Sequence, residues 1–180
     1  MKKALLFLLV LMVFITDTAL SANAIPINQL KKMAKAGNSK AEYKLAEYYS
    51  DNMSDNKGYW SKYVFWLKKS ATGGYAAAEF EVGSDYVFGK NYPKAAYWLK
   101  KSAVQGNVYA EGLLGVLYYN GNGVPLNYKK AAYWIKKSAT GGDSASYQPL
   151  SILYASGRGV RRNAKKAAYW HKKAFPFSNK

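Results

Sequence analysis

Lys130-Ala131-Ala132-Tyr133-Trp134-Ile135-Lys136-Lys137-Ser138-Ala139 is the stretch that decides the fold. The chain repeats it closely at 94–103 (KAAYWLKKSA) and 166–174 (KAAYWHKKA), and more loosely at 62–71 (KYVFWLKKSA). The tryptophans of the four copies, Trp66, Trp98, Trp134 and Trp170, stand 32, 36 and 36 residues apart. A fixed period between about 20 and 50 residues marks an array of stacked units, each burying a face on its neighbour. One tryptophan per unit, beside alanines, reads as a packing residue covered by the first helix of the next unit.

The third copy shows the unit most clearly. Gly106-Asn107 breaks the chain. Ala110, Leu113, Leu114, Leu117 and Tyr118 then recur at helical spacing, predicting helix A over about 108–120. Gly121-Asn122-Gly123-Val124-Pro125 stops it, and Asn127 is a candidate N-cap for helix B, which runs to Thr140 before Gly141-Gly142. So short a turn predicts an antiparallel hairpin. The fourth unit follows in register, except that Pro149 should kink its helix A unless it falls in the first turn. The second unit has a shorter turn, Gly89-Lys90-Asn91-Tyr92-Pro93. The first has a polar one, Ser50 to Gly58, followed by an extra aromatic, Trp60. Gly83 and Gly115 in mid-helix cost about 1 kcal/mol each relative to alanine, which predicts that two helices cross closely there. Before the first unit, Gln29 to Ala34 predicts a short capping helix with Asn28 as its N-cap. The expected fold is all-α: an α/α superhelical solenoid of about four helix-turn-helix repeats, near 34–70, 71–102, 103–138 and 139–174 of a domain over 25–180.

Residues 1–24 read as a cleavable export signal: Lys2 and Lys3, the apolar run Ala4 to Ile15, then Ala22-Asn23-Ala24; left uncleaved, the same segment would be an N-terminal membrane anchor. That segment makes the periplasm of a Gram-negative bacterium the expected location and argues against a nucleic-acid partner. The net charge is +17, and residues 112–180 hold 12 basic residues against one acid, Asp143. Such a field steers the chain toward an acidic partner. The sequence has no cysteine and one histidine, His171. No metal site, cofactor site or catalytic motif is read from it, so neither an enzyme activity nor a small-molecule substrate is expected.

The units resemble the Sel1-like repeat family, a relative of the tetratricopeptide repeats. Ala110, Leu114-Gly115, Tyr118, Gly121, Gly123-Val124, Lys130-Ala131, Trp134, Lys137, Ala139 and Gly142 carry the resemblance in the third unit, with Asn127 in place of an aspartate. The fourth departs at Ser146, Ser151 and Pro149, and the second lacks the glycine-x-glycine turn. The resemblance implies a superhelix that binds other proteins through its curved face and does not imply an enzyme. Small exported members are similar to immunity proteins that neutralise type VI secretion effectors, notably phospholipase-like lipases. It therefore implies a protein that binds and blocks a secreted lipase. Other expectations are generic envelope scaffolding, or binding of an anionic envelope surface such as lipopolysaccharide, phospholipid or cell-wall polymer.

Packing does not explain every residue. Arg158, Arg161, Arg162 and Lys165 crowd one turn and are the expected steering residues, since arginine meets carboxylate or phosphate in two-pronged fashion. Tyr109, Tyr119 and Tyr147 are the expected partner anchors among off-consensus aromatics that include Tyr43, Tyr48 and Phe80. The lysine pairs 68–69, 100–101, 136–137 and 172–173 suit the C-terminal ends of the B helices and would line up as a basic ridge. Ala174-Phe175-Pro176-Phe177 follows the last B helix without a capping helix, so either the tail folds back as a cap or that end docks onto something, with end-to-end dimerisation through the last repeat a further expectation.

Overall fold

A computed structural model describes residues 25–55 and 58–176. The expected leader and Phe177 lie outside the described residues. Nine α-helices follow one another within them: α1 (Ile27–Lys35), α2 (Ser39–Asp51), α3 (Tyr59–Thr72), α4 (Ala76–Phe88), α5 (Tyr92–Val104), α6 (Val108–Asn120), α7 (Tyr128–Thr140), α8 (Tyr147–Ser156) and α9 (Ala164–Ala174). Single 3-10 turns occupy Met53–Asp55 and Ser144–Ser146. Helices α2–α3, α4–α5, α6–α7 and α8–α9 pair as four hairpins, and each hairpin packs on the next. Among the described residues no helix is long and apolar enough to cross a membrane.

Asparagine side chains start most of the helices. Asn38 accepts from the Ala41 N–H, Asn127 from Lys130 and Asn163 from Lys166, each at 2.9 Å. Each bond satisfies an N–H that the first turn leaves without a partner. The first helix departs from expectation. It begins at Ile27 behind Pro26, whose carbonyl accepts from the Leu30 N–H at 2.9 Å, so Asn28 lies inside the first turn and caps nothing. Pro26, with φ −54°, presets the backbone without any capping side chain. In the fourth hairpin a 3-10 turn takes up the start of helix A. Pro149 thereby becomes the third residue of α8, where its missing N–H breaks no helical bond.

Glycines set the close approaches. A Cβ at Gly83 would stand 2.8 Å from Leu99 Cγ, and one at Gly115 would stand 2.6 Å from Ile135 Cγ1. The two helices of the second and of the third hairpin cross at these points. Gly123 lies against the backbone of Tyr92 and Pro93, and Gly159 against that of Tyr128. Each of these turns therefore rests on the start of the preceding hairpin's B helix.

The tryptophans are half-buried packing residues; Trp66 packs on the core that includes the next hairpin's Ala78 and Val82, as expected, but the other three face the other way. Trp98 packs with Leu67, Ala71, Ala78 and Val82, and Trp134 with the cluster of Ala95, Leu99, Ala103, Ala110, Leu114 and Leu117. Each joins the core its own hairpin shares with the preceding one. The next residue along takes the crossing with helix A instead: Leu99 and Ile135 are 0% and 1% exposed. The A helices form the inner curve. Helices α4 and α6 touch directly, and the Tyr43 hydroxyl of α2 donates to Glu81 of α4 across the same face.

Candidate functional site

Three surfaces carry the polar chemistry. The first lies where each B helix ends and its own A helix begins. Glu42, Glu79 and Glu111 are almost wholly buried there, at 2%, 0% and 1% exposure. Lys69 Nζ stands 3.0 Å from Glu42, Lys101 Nζ 3.0 Å from Glu79 and Lys137 Nζ 2.6 Å from Glu111. Each lysine also lies over its own tryptophan, at 5.0 Å for Trp66, 4.9 Å for Trp98 and 5.5 Å for Trp134. Gln105 Nε2 donates to the second Glu79 oxygen at 2.7 Å. In the fourth hairpin Tyr147 holds the glutamate's place, stacks on Trp170 at 5.4 Å and lies beneath Lys173 at 5.6 Å. The expected basic ridge of eight lysines is therefore reduced to five free ones, because Lys69, Lys101 and Lys137 neutralise buried carboxylates. The sequence signal was the register Ala41-Glu42, Ala78-Glu79 and Ala110-Glu111, answered each time by the second lysine of a pair.

The second surface is the inner face. In its first half Glu81, Asp85 and Glu47 lie near one another. Burial pushes the Glu81 carboxyl above its ordinary range. Hydrogen bonds from Tyr43 and Tyr63 oppose that shift, while the Glu47 and Asp85 charges reinforce it. Burial likewise raises Asp85, and together with the Glu81 charge it pushes Tyr63 up to about 12. In the second half the face is apolar. Phe80 and Tyr109 meet with ring centres 5.8 Å apart. They open onto a cleft of about 230 Å³ walled by Leu113, Val116, Ala145 and Pro149, with Gly112 leaving its floor low. Beneath it the buried Asp143 accepts from Ser138 and Ser146 at 2.8 and 2.9 Å.

The third surface is the edge formed by the turns within the hairpins. Arg158 donates to the Tyr119 hydroxyl at 2.7 Å and lies over the Tyr128 ring at 5.4 Å. Arg161, Arg162 and Lys165 are exposed beside it. The seven residues singled out from sequence do not form one patch. Tyr119 and the four cations share the turn edge. Tyr109 is ten residues back along α6, about 15 Å away at 1.5 Å per residue, at the mouth of the inner cleft. Tyr147 is packed into the core of the last hairpin. The inner cleft itself escaped the sequence reading: Gly112 and Pro149 line it from different hairpins, and no short spacing links them.

Four antiparallel hairpins stacked in register, with a glycine-bearing turn and one lysine-capped tryptophan each, define an α/α repeat solenoid. The chain belongs to the Sel1 repeat family, whose profile matches residues 39–52, 76–107, 108–143 and 150–175. Among solved structures it is similar to a protective antigen of uropathogenic Escherichia coli with an SLR fold, at 30% identity and TM-score 0.71, over 86% of this chain and 34% of that one. It is also similar to a Sel1 repeat protein of Oxalobacter formigenes, at 28% identity and TM-score 0.69, over 84% and 63% of the two chains. A Sel1 repeat protein of Klebsiella pneumoniae shares the fold at 22% identity and TM-score 0.56, over 86% and 76%. The chain thus spans about a third of the antigen's length and under two thirds of the Oxalobacter protein's. Among curated protein sequences none matches closely enough to count as a relative.

Proposed function

We propose that the chain is an exported, non-enzymatic, protein-binding repeat protein of the periplasm, most specifically an immunity protein that covers the active site of a secreted phospholipase-like effector. The observation that carries the binding reading is the apolar cleft on the inner face. Its volume of about 230 Å³ falls below the roughly 300–1,000 Å³ of small-molecule sites, and it suits an anchoring side chain of a partner. Tyr109, 57% exposed at its mouth, is the residue type that dominates binding energy at such places. The net charge of +17 favours an acidic partner.

The test is to purify the chain from the host periplasm at low salt and at about 0.5 M, where exposed charge pairs are largely screened. One stoichiometric acidic protein should survive the higher salt, and adding the chain should abolish that protein's lipase activity. Tyr109→Ala should weaken the complex about tenfold or more. A partner that is no lipase would leave a scaffold rather than an inhibitor. A complex indifferent to Tyr109→Ala would move binding off the cleft.

A further inference from the structure

The turn edge carries a pattern that the inner cleft does not use. Phe88 closes α4 with 93% of its surface exposed, and Leu126, in the next turn, is 55% exposed. Lys90, Lys129, Arg158, Arg161, Arg162 and Lys165 lie in or beside the successive turns of this edge, all exposed, and Asp85 is the last exposed acid before Phe88. These turns run in one line, because Gly123 rests on the backbone at Tyr92 and Gly159 on that at Tyr128. Acids stop at Asp85. From there to Pro176 only Glu111 and Asp143 occur, both buried and both at the opposite edge.

Folding accounts for only part of this charge: Arg158 holds Tyr119 and Lys94 lies over the Tyr86 ring at 5.4 Å. Lys94, Lys129 and Lys165 stand in the first turns of α5, α7 and α9, and those helices have no acid there. Helix dipoles disfavour cations at N-termini. The lysines of the opposite edge, by contrast, sit at helix C-termini, and three of them hold buried glutamates. Lys90 is the one described non-glycine residue in the left-handed region, at φ 56°, where glycine would be relaxed. A partner's pocket would be matched by a packed patch, but Phe88 and Leu126 are exposed in separate turns. Apolar tips in successive turns of an edge rich in cations fit the boundary of lipid headgroups and acyl chains, which accepts apolar side chains to a depth of about 5–10 Å and offers phosphates above them.

We propose that this edge seats the solenoid on an anionic phospholipid bilayer, with Phe88 and Leu126 entering the headgroup boundary and Lys90, Lys129, Arg161, Arg162 and Lys165 meeting lipid phosphates. The absence of cysteine makes any introduced thiol a unique label. A polarity-sensitive fluorophore is placed at Leu126→Cys, and in a second variant at Val104→Cys, which is 63% exposed on the opposite edge. Phosphatidylglycerol vesicles should shift emission to the blue at 126 and not at 104. Phosphatidylcholine vesicles should leave both unchanged. Arg161→Glu with Arg162→Glu should lower the vesicle affinity read at 126 about tenfold or more without changing helical circular dichroism, and Phe88→Ser should also lower it. No shift at 126, an equal shift at 104, or affinity untouched by charge reversal would overturn the proposal. So would a shift at 126 produced only by an acidic protein or a nucleic acid, which would give the edge a different partner.

Discussion

Gly115 shows how one absent side chain sets a helix crossing. Alanine is the better helix former by about 1 kcal/mol. Its Cβ, however, would meet Ile135 at 2.6 Å and the Ile135 backbone nitrogen at 3.0 Å. The backbone contact cannot be relieved by a rotamer change, so overpacking outweighs propensity. Gly115→Ala is expected to destabilise the chain by about 1–3 kcal/mol in urea unfolding, with unchanged slope. A gain in stability would mean that α6 and α7 stand further apart than the structure has them. Lys90 is the converse case. It pays for a left-handed backbone that glycine would adopt freely, so Lys90→Gly should raise stability by about 0.5–1 kcal/mol in the same measurement. That gain, together with weaker binding to phosphatidylglycerol vesicles, would fit a lysine kept for its charge.

Among elements, the joint between the end of each B helix and the start of its A helix is the recurring device. Removing the cation from a buried ion pair leaves a charge with no partner. Lys137 is 42% exposed, so water screens part of that penalty. Lys137→Met should cost about 2–3 kcal/mol, and restoring neutrality with Glu111→Gln should recover part of it in a double-mutant cycle. Lys173→Met should cost under about 1 kcal/mol, since Tyr147 replaces the glutamate and only cation–π contacts are lost. Equal costs in the two repeats would show that the glutamate contributes nothing. Between A helices, Glu81 couples α4 to α2. Its carboxyl titrates above its ordinary value of 4.5, so the folded state holds the proton more tightly than the unfolded chain. The stability this confers is full below about pH 4.5 and is lost as pH rises through the folded-state value. Glu81→Gln keeps an acceptor for Tyr43 without the charge. Relative to the parent, its melting temperature should gain at pH 7 and not at pH 4, and equal gains at both would refute the linkage. These joints were only partly legible in the sequence. The tryptophans and lysine pairs were visible as periodic residues. The buried glutamates were not, because they follow the period of the units rather than any short spacing, and their partners lie on the other helix.

For the whole molecule, period and composition were enough to give the architecture, because each hairpin repeats the same local choices: an asparagine cap, a glycine-bearing turn and small residues at crossings. Which face does what was not legible. It depends on how curvature separates Tyr109, Tyr119 and Tyr147, three residues of one type that end up in a cleft, at an edge and in a core. The same stacking logic makes the two ends unequal. At the first end, α1 lays Leu30 and Ala34 onto α2 and closes the array. At the last, α9 buries only Ala167, and the exposed His171 stands where Leu99 and Ile135 are covered in earlier repeats. In a quasi-one-dimensional array local stability is roughly a sum of unit and nearest-neighbour terms, and among the described residues no further helix packs on α9. Amide hydrogen exchange should therefore be fastest in α9, intermediate in α1 and α2, and slowest across α5 to α7, which have partners on both sides. Sample concentration makes the experiment decisive about the last face. Fast exchange in α9 at every concentration leaves that face open to solvent. Protection of α9 that appears only as concentration rises would mean a second copy covers it, and His171→Leu, by making the face more apolar, should then strengthen the association. Protection equal to that of α7 at high dilution would mean the chain's own C-terminal residues close the array, and the end would be no docking surface.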